Sequence, residues 1–119
     1  MEGGSYDMAC EEGRVYLTIR GYFNAAAAAD SIVELERLVE DRSRGIELVT
    51  DLAGMTGYDR KSRHAYQGFL ERYRDQISLI TLIGTRPVFR MVASALCLYA
   101  GINMRFVKAT AEQKPRAAA

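Results

Sequence analysis

The sequence predicts a small α/β domain: a mixed, mainly parallel sheet flanked by helices, in the chain order β-β-α-β-α-β-α-β. Three observations lead to it. Two alternating segments joined by a polar turn open the chain. Three segments of helical period follow. Short apolar runs bounded by glycine come after each of them. The 119 residues amount to one domain.

Each element has its own justification. Tyr6 to Cys10 alternates larger apolar residues with small or polar ones. Glu11-Glu12-Gly13-Arg14 is a polar turn whose glycine can take positive φ, and Val15 to Ile19 alternates again. Gly21 is expected to break this second strand. Asn24 is a good N-cap, Ala25 to Ala29 has the highest helix propensity, and Asp30 suits the positive end of the dipole. Ile32, Leu35 and Val39 form the buried stripe of this helix, broadened by Leu38, with Glu34, Arg37 and Asp41 facing away. Arg42 and Arg44 fall in the last turn, and Gly45 is its C′ residue.

Ile46 to Leu52 reads as a strand, and Ala53-Gly54 with Gly57 is expected to loosen the chain beyond it. Asp59 can cap a second helix whose Tyr66, Phe69, Leu70, Tyr73 and Ile77 share one face. Ile77 to Ile83 is nearly continuous in apolar residues, the mark of a strand buried on both faces, and Gly84 ends it. Thr85 is the expected cap of a third helix, with Pro87 in its first turn. Val88, Val92, Ala95, Leu96 and Tyr99 are its expected buried stripe. Gly101 closes it, and Met104 to Val107 is a last short strand. The domain is expected to span residues 1–108, with 109–119 a flexible C-terminal tail.

Composition narrows the function classes. Sixteen basic and fifteen acidic side chains leave a net charge of +1, so no global field steers nucleic acid or an anionic membrane, and recognition must come from a local patch. The start lacks a basic segment followed by an apolar run, and no apolar stretch approaches the roughly 20 residues that span a bilayer. The expectation is a cytoplasmic protein without a transmembrane segment, in which Cys10 and Cys97 stay free thiols. With one histidine and no ligand-spaced cysteines, neither a metal nor a cofactor is expected. No Walker loop or dinucleotide fingerprint is present.

The order and punctuation resemble the STAS family of sulfate-transporter and anti-anti-sigma domains, the SpoIIAA-like proteins. Four stretches carry the likeness over roughly residues 5 to 108. They are Thr18-Ile19-Arg20-Gly21-Tyr22-Phe23-Asn24, then the alanine run to Asp30, then Val49 to Asp59, and finally Ile80 to Gly84 followed by a helix and short strand. Asp51-Leu52-Ala53-Gly54-Met55-Thr56-Gly57-Tyr58-Asp59 is similar to the family's Asp-Leu-Ser-Gly-Val-Thr-x-x-Asp. The resemblance implies a regulatory module that binds a protein partner, without catalysis. Anti-anti-sigma members follow that last aspartate with Ser-Ser-Gly-Leu, and a partner kinase phosphorylates the second serine. Here Asp59 matches the aspartate, Arg60 and Lys61 stand at the serine positions, Ser62 at the glycine and Arg63 at the leucine. The phosphorylatable residue is missing from its place.

Positive charge on Arg60, Lys61 and Arg63, with His64 adjacent, crowds the positive end of a helix, at ~0.3–1 kcal/mol for each exposed cation. Two readings follow: a standing anion-binding corner, or a solvated basic turn. Ser62 reads as a helix-start serine facing water, or as a phosphorylation site in a shifted register. His64 reads as a surface residue, with Asp59 or Asp51 as conceivable partners. Tyr66, Tyr73 and Tyr99 fall on core stripes, while Tyr58 sits beside the basic turn. The contact surface is therefore expected at Tyr58, Asp59, Arg60, Lys61, Ser62 and Arg63, helped by Asn24, Thr85 and Arg86. The alternative is a small-ligand module holding a nucleotide, a lipid head group or another phosphate-bearing ligand at the same corner. An enzyme would need a nucleophile–base pair, and none is evident. A homodimer is compatible with either reading.

Overall fold

The computed structural model describes residues 4–40, 45–84 and 86–108. Its elements are β1 (Ser5–Glu11), β2 (Arg14–Phe23), α1 (Ala25–Glu40), β3 (Ile46–Tyr58), α2 (Arg60–Tyr73), β4 (Ile77–Ile83), α3 (Pro87–Ala100) and β5 (Met104–Val107). This is the order expected. Asp41, Arg42, Arg44, the cap expected at Thr85 and the segment 109–119 lie outside the described residues.

The five strands lie side by side in chain order, β1 antiparallel to β2 and every later pair parallel. The β1–β2 turn is two residues long, with Glu12 at φ 49° and Gly13 at φ 81°. Positive φ at both positions matches the right-handed twist of a hairpin. From β2 onward each crossover steps the same way across the sheet. Right-handed connections then stack all three helices on one face rather than on both. One core results, with Val15, Leu17 and Ile19 of β2, Leu48 of β3 and Ile80 and Leu82 of β4 under Leu35, Val39 and Phe69 of the helices. On the other face, Glu47 pairs with Arg14 at 3.1 Å and Arg105 at 3.4 Å and accepts a hydrogen bond from Thr81 at 2.6 Å. These four residues tie β2, β3, β4 and β5 together. Thr81 and Ile83 are buried there, so β4 is covered on both faces as its sequence required.

Several sequence expectations need correction. Gly21 does not end β2: it stays in the strand at φ 74°, where the pairing with β3 shifts register. Ala53, Gly54 and Gly57 do not end β3 either, because that strand runs on to Tyr58. Two register shifts against β2 take up an extra residue each, and the Asp51 carboxylate accepts the Ala53 N–H at 2.9 Å beside the first. Beyond Asp51, β3 pairs only with β2, and past Arg20 and Gly54, where the pairing of β1 ends, these two strands continue as a ribbon. Ile77 belongs to β4, not to the face of α2.

Helix α3 is rotated from the expected stripe. Phe89, Cys97 and Ala100 are buried, whereas Val88 and Tyr99 are exposed and Tyr99 leaves the core. Ser94 is the only polar side chain from Met91 to Ala100, so periodicity gave no basis for choosing a face.

Candidate functional site

The parallel strands deliver the starts of all three helices to one end of the sheet. Asn24 caps α1 as expected: its Oδ1 accepts the Ala27 N–H at 2.9 Å. Asp59 caps α2 from extended backbone, accepting the Ser62 N–H through Oδ1 at 2.8 Å. Its other oxygen, Oδ2, accepts the Ala25 N–H at 3.0 Å. A single carboxylate thus serves the N-termini of two helices, and it lies where both dipoles favour negative charge. The Ser62 and Ala25 hydrogen bonds, with Lys61 nearby, hold the Asp59 carboxyl below the usual carboxylate range.

Ser62 does not face water. It is 2% exposed. Its hydroxyl has one proton and two acceptors in reach, the Phe23 carbonyl at 2.9 Å and Asp59 Oδ1 at 2.7 Å. The Asp59 N–H also donates to Phe23 O, at 3.3 Å. The end of β2, the cap of α2 and the first turn of α1 are therefore one hydrogen-bonded unit.

Outside this unit stand Arg60, Lys61 and Arg63, all exposed and in no ion pair among the described residues. His64 is likewise exposed, as expected. The helix start thus has two layers. The Ser62 and Ala25 N–H groups are engaged internally by Asp59, and the outward layer is basic side chains.

Tyr58 joins the third helix start to the first two. Its ring and that of Phe89 pack edge-to-face with centroids 5.7 Å apart, and the Arg86 guanidinium lies 5.8 Å from the Phe89 centroid. Arg86 occupies the N-cap position of α3 with no capping side-chain bond. Asn24, Tyr58, Asp59 and Ser62 are thus brought into one corner, with Arg60, Lys61 and Arg63 on its rim and Arg86 linked through Phe89.

Phe23, Ala25 and Phe89 take part without having been singled out. Phe23 and Ala25 act through main-chain atoms, which side-chain identity does not reveal. Behind the corner lies a cavity of about 130 Å³ between α2, α3 and the sheet. Leu17, Leu48, Leu82, Met55, Ala93 and Cys97 are among its walls, and the stem of Arg63 and the Tyr58 ring reach it. Burial pushes the Cys97 thiol up to about 11, so it is a poor nucleophile at neutral pH. Cys10 and Cys97 form no disulfide.

No protein-family model matches the chain, and no curated protein matches it. Solved structures do. An uncharacterised protein of the DUF3478 family with a SpoIIAA-like fold, from Shewanella loihica PV-4, superposes with a TM-score of 0.73 at 9% identity, covering 95% of this chain and 92% of its own. The anti-sigma factor antagonist SpoIIAA in its unphosphorylated form gives 0.64 at 15% identity, with 92% and 93% covered. An anti-sigma factor antagonist from Mycobacterium paratuberculosis gives 0.63 at 13% identity, with 92% and 88% covered. The chain has the SpoIIAA-like fold that its sequence order predicted.

Proposed function

We propose that the protein is a non-enzymatic regulatory module of the cytoplasm that binds an acidic surface of a protein partner through the start of α2. The observation that carries this is the arrangement of Arg60, Lys61 and Arg63, exposed together on a helix tip fixed by Asp59 and Ser62. A rigid tip loses little conformational freedom on binding, and adjacent cations raise the on-rate toward an acidic partner. Two proteins of the same fold are anti-sigma factor antagonists, which agrees with a protein-binding role. The candidate nucleophiles argue against catalysis, since the Ser62 hydroxyl is engaged and the Cys97 thiol is held protonated.

Comparative pull-down from the source cell tests the reading. Wild type and Arg60→Glu/Lys61→Glu are compared by quantitative mass spectrometry. The expected result is a partner retained by wild type, released by salt and lost by the variant. Equal recovery by both proteins rejects the surface.

The apolar cavity favours a second reading, in which the corner takes the head group of a lipid and the cavity accepts part of its apolar chain. A thermal-shift panel of nucleotides and phospholipids separates the two. A ligand at 100 times its dissociation constant adds about 2.7 kcal/mol. A response to phospholipids alone selects the lipid reading, and a flat panel leaves the protein partner.

A further inference from the structure

Helix α3 is apolar on the face it buries and also on the face it shows. Val88, Met91 and Leu98 are 53%, 67% and 84% exposed, and Tyr99 is 71% exposed. No acidic or basic residue occurs between Arg90 and Arg105. A surface helix normally turns a polar face to water, and one that is apolar all round is normally buried. The exposed side chains amount to on the order of 500 Å² of largely apolar surface, toward the upper end for a monomer.

The spacing suits packing against another helix. Val88, Met91, Ala95 and Leu98 follow i, i+3, i+7, i+10, the seam with which one helix packs along another. The seam is also complementary to itself. Set antiparallel about a two-fold axis at position 93, Val88 faces Leu98 of the second copy and Met91 faces Ala95. Each layer then pairs a larger side chain with a smaller one, as interdigitated packing requires. The dipoles run antiparallel, and the basic first turn with Arg90 meets the carbonyl end of the other helix. With no charge along the seam, nothing repels an identical surface. A standard interface takes about 800 Å² from each partner. The seam together with Tyr99 supplies more than half of that, with Arg90 and Phe106 at its border.

We infer that α3 is the interface of a two-fold homodimer in which Val88, Met91, Ala95 and Leu98 of the two copies interlock antiparallel. The contact is isologous and closes at two copies. It is separate from the tip of α2, so its failure and that of the partner-binding reading are read independently.

Sedimentation velocity from micromolar to millimolar protein tests the inference, with circular dichroism as a check on folding. Wild type is expected to sediment as a dimer, and Leu98→Glu as a folded monomer. Val33→Glu is the control: Val33 is 51% exposed on α1, off the seam, and its variant should remain a dimer. The paired variant Met91→Cys/Ala95→Cys should cross-link into a covalent dimer on oxidation, because the two positions face each other only in this register. A wild type that stays monomeric throughout overturns the inference, as does a Leu98→Glu dimer. Dissociation by Val33→Glu, or failure of the cysteine pair to cross-link, overturns the seam.

Discussion

The Ser62 hydroxyl reaches the carbonyl oxygen of Phe23 at 2.9 Å, across 39 positions of sequence. It anchors the first turn of α2 to the end of β2 inside the protein. Ser62→Ala should destabilise the domain by about 0.5–1.5 kcal/mol, because the Phe23 carbonyl keeps only the longer hydrogen bond from the Asp59 N–H. Ser62→Asp should cost more, since a second carboxylate would face Asp59 in a buried site. Equilibrium urea unfolding checks both. The same geometry bears on phosphorylation in a shifted register. A kinase would have to pull the hydroxyl from two acceptors and place a dianion beside Asp59, so the folded protein should take up no phosphate at Ser62 in a kinase assay read by mass spectrometry.

Asp59 gives the corner a pH dependence with a definite sign. Its folded carboxyl titrates below the ordinary carboxylate range, so the folded state favours the ionised form. That contribution is fully present above the ordinary range and is lost as pH falls through the lowered folded value. Urea midpoints of wild type and Asp59→Asn should therefore differ most at neutral pH and converge in acid. A gap that stays constant with pH would show that the carboxylate charge is not what holds the two helix starts together.

Cys97 gives the opposite sign. Burial raises its thiol from 9.0 to about 11, so the folded state favours the neutral form. Its contribution is complete below 9.0 and is lost as pH rises toward 11. In a Cys10→Ser background, alkylation at pH 8 should be slow for Cys97 in the folded chain and fast in denaturant, and Cys97→Ala should flatten the alkaline fall in stability. Rapid labelling of Cys97 in the folded protein at pH 8 would contradict the cavity-wall placement.

What could be read from the sequence follows the range of the forces involved. Caps are local, so Asn24 and Asp59 were legible from a few residues each. Alternation and glycine punctuation likewise predicted the element order, and the two ends of β4. Gly21 and Gly54 misled because glycine weakens a strand only in general. Here β2 and β3 pair through it and absorb extra residues as register shifts. Ser62 was misread because its acceptor, Phe23 O, belongs to a distant main chain. The exposed apolar stripe of α3 was hidden inside a helix whose sequence does not say which side faces the core.

Gly57 offers a test of the β2–β3 ribbon. A Cβ added there would sit 3.1 Å from Cδ1 and 3.2 Å from Cε1 of Tyr22, its cross-strand neighbour. Gly57→Ala should therefore force the half-buried Tyr22 ring to give by a few tenths of an ångström, and its unfolding midpoint reads whether the ring can do so. Tyr22→Ala should relieve that clash. The double variant is expected to be less destabilised than the two single costs added together, and strict additivity would place the cost elsewhere.

The cavity makes the last prediction. Ala93 lines it from α3, and leucine there would add three carbons to an apolar space of about 130 Å³. If that space is a packing gap with no occupant, Ala93→Leu should raise stability by about 0.5–2 kcal/mol, the range of cavity-filling changes. If it receives an apolar ligand chain, the same variant should also abolish the thermal shift given by phospholipid, while Arg60→Glu/Lys61→Glu weakens the shift through the head group. The pair of variants separates the two regions of the site, since one alters volume without charge and the other charge without volume. A phospholipid response that survives Ala93→Leu would put the ligand outside the cavity and remove the main support for the lipid reading.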